Sequence, residues 1–272
     1  MINVLFCGDA RMQDGLLLAT LSLLKHSSEP LHLYLLTATI PGYEVFPQSG
    51  ADFLQTLVQK HDPRHQVTRI DITPQFQAQP PRANMDTIFT PYCMLRLYAD
   101  LLPELPERLL YLDTDILCRR RFNDWYHQAL DGIEFVGVLD HYGKWFFHHE
   151  LSTFDYVNSG VLLLNLAEIR TTGLFAACRK RCAEQKLFMP DQSALNKLAT
   201  VKILAPRRFN EQRKLHNSTV FQHFTTSFRL FPWIHTLTVK PWQVAAMHNQ
   251  LHLHAYDDLL GDYQQLAPQM KG

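Results

Sequence analysis

Short apolar runs alternate with longer helical stretches through the first part of the chain, and that alternation restricts it to folds in which strands lie parallel while helices cross over between them. Ile2-Asn3-Val4-Leu5-Phe6-Cys7 is a strand ended by Gly8-Asp9, and Leu16 to Leu24 is apolar on most faces and long enough for a buried helix. Leu31 to Leu36 forms a second strand closed by Pro41-Gly42, a helical stretch follows near Asp52 to Lys60, and Val67 to Ile72 gives a third strand. Tyr92 to Leu102 reads as a helix stopped by Pro103 and Pro106. The expected class is α/β, a mostly parallel central sheet with helices on both faces.

The next strand carries the chemistry. Leu109-Leu110-Tyr111-Leu112 runs directly into Asp113-Thr114-Asp115, followed by Ile116-Leu117. In an extended chain residues two apart share a face, so Asp113 and Asp115 present oxygens to one point while Thr114 faces away. Paired carboxylates suit a hard divalent cation such as Mg²⁺ or Mn²⁺, which keeps coordination positions for substrate phosphates. In an open parallel sheet ligands bind outside the carboxyl ends of the strands. Asp9 and the Asp113/Asp115 pair are both expected there.

Further on, Phe135 to Leu139 is a strand ending in Asp140, and Tyr142 to His149 is an aromatic loop whose Tyr142, Trp145, Phe146 and Phe147 offer flat faces to a sugar ring. Tyr156 to Gly160 leads into a strand at Val161 to Leu166. Helices are expected near Gly173 to Gln185 and Asp191 to Leu198, a short strand at Val201 to Leu204, and a weakly helical end near Tyr256 to Leu266. The 26 basic and 26 acidic residues cancel, which argues against a nucleic-acid partner held by bulk charge. Five cysteines, without a metal-type Cys-x-x-Cys pair, read as reduced structural thiols. No run approaches the length of a membrane span and no leader precedes the first strand, so a cytoplasmic protein without an integral membrane segment is expected.

The chain resembles family 8 of the retaining glycosyltransferases, the group that includes bacterial lipooligosaccharide galactosyltransferases and glycogenin. The matching pieces run in order: the first strand ending in Gly8-Asp9, Arg96, Tyr111-Leu112-Asp113-Thr114-Asp115, Asn158-Ser159-Gly160 with the apolar run after it, Asp191-Gln192-Ser193-Ala194-Leu195-Asn196, Arg208-Phe209-Asn210, and His235 with Lys240-Pro241-Trp242. The resemblance implies the GT-A fold, Rossmann-like, as one domain with a helical carboxyl-terminal extension. Residues 1–242 would be the catalytic domain, with a nucleotide-binding half at about 1–118 and an acceptor-side half at about 119–242. Residues 243–272 would be a helical tail.

The same resemblance implies the roles. Asp113, Asp115 and His235 correspond to metal ligands, and a mixed carboxylate and imidazole set favours Mn²⁺ over Mg²⁺. Cys7 and Asp9 correspond to nucleotide contacts, with Asp9 accepting from the imide of uracil; Arg11 stands where the family often has Asn. Arg96 would reach the donor sugar and phosphates, Thr114 lies within the diphosphate-binding motif, and Asn158 and Gly160 border the donor sugar. Asp191 would hold sugar hydroxyls, Gln192 would lie on the far face of the anomeric carbon, and Lys240 would hold the diphosphate as a point charge. Between His235 and Lys240 the chain is one residue shorter than the family's usual spacing and lacks its glycine.

The activity implied by the resemblance is transfer of glucose or galactose from a UDP-sugar to a hydroxyl on a glycan, glycolipid or glycoprotein. Peripheral contact at the inner face of the membrane is compatible with a lipid-linked acceptor. A sugar nucleotidyltransferase would need a Gly-rich basic loop after the first strand, which Cys7-Gly8-Asp9-Ala10-Arg11-Met12 does not supply. An inactive UDP- or glycan-binding protein on the same fold would have no reason to keep Asp113, Asp115, Asp191, Gln192 and Lys240 together.

Overall fold

The computed structural model describes residues 1–87, 90–141, 155–229 and 235–271, with residues 227–229 and 235–236 described through their backbone alone. Seven strands form the main sheet: β1 (Ile2–Cys7), β2 (Leu31–Thr37), β3 (Gln66–Asp71), β4 (Arg108–Leu112), β6 (Phe135–Leu139), β7 (Val157–Asn165) and β8 (Lys202–Leu204). Their order across it is β3-β2-β1-β4-β7-β6-β8. β1 pairs in parallel with β2 and β4, β2 with β3 and β6 with β8; β7 is antiparallel to both of its neighbours. The sheet is therefore mostly parallel.

Strand alternation divides the interior into two cores. Ile2, Val4, Phe6, Leu110 and Leu112 face a layer made by α1 (Gln13–His26), α2 (Gln48–His61) and the carboxyl-terminal helices α8 (Val244–Asn249) and α9 (Asp257–Lys271). Leu5, Leu109 and Tyr111 face the opposite layer, which contains α3 (Thr73–Ala78), α5 (Leu166–Thr172), α6 (Leu174–Glu184) and α7 (Pro190–Leu198). This is the period-two rule of a strand buried on both faces. α9 is fastened to α1, where Tyr263 Oη donates to Asp14 (2.7 Å) and Lys25 pairs with Asp258.

The stretch expected as an α-helix at Tyr92 to Leu102 is a 3₁₀ helix, Pro91–Leu101. With about three residues per turn, Cys93, Arg96 and Ala99 fall on one line, and Arg96 Nε donates to the Cys93 carbonyl (2.9 Å). The apolar strand expected to continue through Asp113 is broken. β4 stops at Leu112, and β5 (Ile116–Cys118) leaves the main sheet to pair antiparallel with β9 (Phe221–His223). Asp113 to Asp115 are thus a turn between two sheets, so these carboxylates converge through the turn rather than through strand alternation.

A short helix, α4 (Asn123–Tyr126), comes after β5, and a hairpin of β10 (Ser227–Arg229) and β11 (His235–Leu237) comes after β9. All five cysteines are free thiols. No helix among the described residues is long and apolar enough to cross a membrane. The aromatic loop at Tyr142 to His149 lies outside the described residues.

Candidate functional site

Between β1 and β4 the strand order reverses, because β1 goes on to β2 on one side while β4 leads to β7 on the other. Such a switch point opens a crevice at the strand ends. Register sets Leu5 beside Tyr111, so Cys7 comes level with Asp113. Asp113 is fixed from the other side by its backbone N–H, which donates to the Gly160 carbonyl (2.9 Å). Thr114 points its carbonyl at α1. A Cβ on Gly15 would stand 2.5 Å from that oxygen and 2.8 Å from the Trp242 ring, so only glycine lets α1 approach the turn this closely.

Asp113, Asp115 and His223 bring ligand atoms within 4.8 Å of one another. His223 Nε2 lies 3.2 Å from Asp115 Oδ1 and 3.8 Å from Asp113 Oδ2. Lys240 Nζ donates to Asp115 Oδ2 (2.5 Å) and to the Phe224 carbonyl (3.0 Å). Burial alone would raise the Asp115 carboxyl, but the Lys240 ammonium and the hydrogen bonds from His223 and Lys240 outweigh it and hold the group below the usual carboxylate range. Gly160 makes the close approach possible: a Cβ there would meet His223 Cε1 at 2.3 Å and Asp113 Oδ2 at 2.9 Å.

The family resemblance gives the imidazole role to His235, whose side chain lies outside the described residues. The histidine that the structure brings to the carboxylates is His223, at the end of β9 and paired in register with Ile116. The β10–β11 hairpin, which begins its second strand at His235, stands between His223 and Lys240 in the chain.

Beside the cluster lies a buried polar pocket. Arg96, 2 % exposed, donates through Nη2 to Asp113 Oδ1 (3.1 Å) and through Nη1 to the Ser159 carbonyl, and its Nε lies 3.3 Å from Asp191 Oδ2. Its guanidinium stacks over the Tyr111 ring at 3.8 Å, and Tyr111 Oη donates to Asp113 Oδ1 (2.6 Å). Burial would lower the Arg96 pKa, yet Tyr111, Asp191 and Asp113 together raise it, so the group stays charged. Asp191 and Gln192 open α7 just after Pro190 and are both buried. Asp191 Oδ2 is buried and, among the described residues, is held by the Arg96 ion pair rather than by a well-formed hydrogen bond. Gln192 Nε2 donates to Asp140 Oδ2 (2.9 Å), while its Oε1 accepts from the Ser159 N–H (2.9 Å).

One chain of hydrogen bonds joins this pocket to the carboxylate cluster. Asn158 Nδ2 donates to Asp140 Oδ2 (3.2 Å), and Asn210 Nδ2 donates to Asn158 Oδ1 (2.9 Å). Asn210 Oδ1 lies 3.2 Å from His223 Nδ1. If a metal ion occupied the cluster, an Nδ1–H donated to Asn210 would leave the His223 Nε2 lone pair for the ion. Sequence reasoning assigns no role to Asp140, Asn210 or His223. Asp140 is visible as a strand end and Asn210 as part of a family motif, whereas His223 ends an apolar run with nothing local to mark it.

Asp9 and Arg11 sit apart from these groups at the end of β1. Arg11 Nε and Nη2 donate to Asp9 Oδ2 (2.8 and 2.6 Å), and its backbone N–H donates to Oδ1 (3.0 Å). The Arg11 guanidinium also lies over the Tyr43 ring. A ligand that bonds to Asp9 would share its carboxylate with Arg11.

The model of the family described as Glycosyl transferase family 8 matches residues 3–246. No curated protein sequence matches the chain. The crystal structure of an active-site mutant of LgtC superposes with a TM-score of 0.69 at 17 % identity, covering 96 % of each chain. Galactosyltransferase LgtC in complex with donor and acceptor sugar analogs superposes with a TM-score of 0.65, again at 17 % identity and 96 % of each chain. The glycosyltransferase GlyE of Streptococcus pneumoniae TIGR4 gives 0.65 at 16 % identity, covering 99 % of this chain and 63 % of its own. These likenesses establish the fold.

Proposed function

The chain belongs to glycosyl transferase family 8, and from that premise we propose that it moves a glucosyl or galactosyl group from a UDP-sugar to a hydroxyl of a glycan, glycolipid or glycoprotein, with retention and with Mn²⁺. The observation that carries this reading is the convergence of Asp113, Asp115 and His223 next to Lys240 and the Arg96/Asp191 pocket. Two carboxylates and one imidazole form a donor set suited to Mn²⁺, and His223, whose Nε2 faces both carboxylates, would supply the nitrogen. When bound, the metal supplies positive charge to the diphosphate as the glycosidic bond breaks.

The chain's own residues do the rest. Lys240 adds a second cation for the leaving diphosphate, and Arg96 holds Asp113 and Asp191 in fixed orientation. Asp191, oriented by Arg96, takes sugar hydroxyls. An amide is a poor nucleophile, and Gln192 has its oxygen engaged by the Ser159 N–H and its nitrogen by Asp140. These bonds favour a same-face reaction in which Gln192 stabilises the positive sugar centre and a leaving phosphate oxygen takes the acceptor's proton. Cys7 and Asp9 serve the uridine, with Arg11 closing that end of the site through Asp9. In this reading residues 1–242 form the catalytic unit and 243–272 a tail, and the protein works in the cytoplasm, at the inner face of the membrane when its acceptor is lipid-linked.

The test is release of UDP from a panel of nucleotide sugars without acceptor, in Mn²⁺ and then in EDTA. Slow release from UDP-glucose or UDP-galactose that EDTA abolishes is expected. No release from any donor together with no Mn²⁺-dependent UDP binding would overturn the reading. Asn210 provides a second check. Replacing it by Ala removes the acceptor for His223 Nδ1, and loss of such a partner typically weakens metal binding about 10–100-fold. The Asn210→Ala protein should therefore need more Mn²⁺ for half-maximal UDP release and recover most of its rate at saturating metal; an unchanged Mn²⁺ requirement would deny Asn210 any part in the metal site.

A further inference from the structure

A second concave site opens at the other end of the β5–β9 ribbon. The ribbon holds Ile116 opposite His223 at the metal-facing end and Cys118 opposite Phe221 at the far end, where the Arg119 N–H donates to the Val220 carbonyl (2.7 Å). Just beyond lies a cavity of about 780 Å³ bordered by Arg120, Arg121 and Arg208, with Trp125 and Phe209 among its apolar lining and Asp124 as its one acidic residue. Counting from Asp115 to Arg120 along extended chain, it begins on the order of 15 Å from the carboxylate cluster.

Its charge is uncompensated. Arg120 donates to the Asn217 carbonyl, Arg121 Nη2 to Ser28 Oγ (2.9 Å), and the Arg208 guanidinium lies 4.9 Å from the Phe209 ring centroid. Among the described residues none of the three meets a carboxylate at ion-pair distance, whereas the neighbouring Arg207 is paired with Glu211. All three guanidinium groups belong to exposed residues. Beneath the arginines Trp125 and Phe209 are stacked with ring centroids 4.7 Å apart and are nearly buried, which fixes an apolar floor.

Each property narrows the ligand. Guanidinium forks match phosphate or carboxylate oxygens two at a time. The volume falls within the roughly 300–1,000 Å³ of small-ligand sites, enough for a few sugar rings and too small for a duplex. The cleft gathers three arginines against one aspartate, a local excess of positive charge in a chain with no net charge. An aromatic floor under a cationic rim suits a ring with an apolar face and an anionic substituent.

We propose that this cleft binds a saccharide carrying phosphate or carboxylate groups, as a non-reacting part of the glycan that the enzyme extends. The proposal rests on the transferase reading for the identity of the glycan, while the cleft's affinity for an anionic saccharide stands apart from it. Remote binding of this kind positions the acceptor and raises turnover of long acceptors over short ones.

Isothermal titration of the full chain tests it, using a tetrasaccharide carrying one phosphate, the same tetrasaccharide without phosphate, inorganic phosphate alone, and phosphatidylglycerol vesicles. The phosphorylated tetrasaccharide should bind at least tenfold more tightly than the neutral one and than inorganic phosphate. The double variant Arg121→Gln/Arg208→Gln should lose at least tenfold of that affinity while binding UDP with Mn²⁺ as the wild type does. Arg121→Lys/Arg208→Lys, which keeps charge and removes the forks, should fall between the two and serves if the glutamine variant fails to fold. Equal binding of the neutral sugar, equal binding of inorganic phosphate, unchanged binding by the glutamine variant, or binding of the vesicles alone would each overturn the proposal. Binding of the phosphorylated sugar by a wild type that releases no UDP from any donor would keep the cleft and reject the transferase reading.

Discussion

Asp115→Asn is expected to lower kcat for UDP release from the donor by about 10³-fold, since it removes a metal-ligand charge from the reaction's electrostatic centre. The substitution acts on three contacts at once. Asp115 Oδ1 faces His223 Nε2 at 3.2 Å and Oδ2 accepts from Lys240 Nζ at 2.5 Å, so the neutral amide weakens the metal set and releases the lysine. Steady-state UDP release at saturating Mn²⁺ and donor measures it, and a loss of less than tenfold would mean that Asp115 is not a metal ligand. The sign of the pH effect comes from the depressed carboxyl. Its stabilisation of the Lys240 pair is fully present above the ordinary value of 3.8 and is lost only as the pH falls through the lower folded value. Acid inactivation near pH 5 would therefore have to come from another group.

The next largest effect belongs to Lys240. Lys240→Met keeps the aliphatic stem and removes the cation, and loss of one preorganised charge at a developing anion costs about 10²–10³ in kcat. Because Lys240 already rests on Asp115 and the Phe224 carbonyl, it is held near the site before substrate arrives. The expected signature is a fall in kcat with a smaller rise in donor KM, read by separating the two constants. A rise in KM alone would make Lys240 a ground-state anchor. Lys240→Arg should recover part of the rate, limited by a planar fork standing where a point charge fits.

Much of this is legible in the residues because the informative signals are local. The strands β1, β2 and β6 come from apolar runs with clear stops at Gly8-Asp9, Pro41-Gly42 and Asp140. Asp113 and Asp115 stand out because an apolar run leads directly into two carboxylates, a pattern that a plain turn after a strand would also give and that the family resemblance turns into a site. The hidden features depend on distant partners. β5 and β9 are each three residues long and read as strands only when paired, so the departure of the chain from the main sheet at Asp113 leaves no periodic trace. His223 is joined to Asp115 across more than a hundred residues of sequence. The family resemblance points to His235, which stands in the β10–β11 hairpin with its side chain outside the described residues. The 3₁₀ winding of Pro91–Leu101 is concealed for a related reason: over eleven residues, apolar periods of 3.0 and 3.6 look alike.

The buried polar network is hidden from the sequence in the same way. Gln192, Asp140, Asn158 and Asn210 lie on four separate segments, yet their bonds connect the Arg96/Asp191 pocket to His223. Networks of this kind fix side-chain orientation when every member is satisfied, and in the proposed metal site this one would hold His223 in place.

Mn²⁺ affinity decides between the two histidines, measured by electron paramagnetic resonance with UDP present for the wild type, His223→Ala and His235→Ala. His223→Ala should weaken Mn²⁺ binding by at least tenfold, while His235→Ala should bind as the wild type does. Wild-type affinity in His223→Ala, with the loss appearing in His235→Ala, would contradict the assignment of Asp113, Asp115 and His223 as the metal centre.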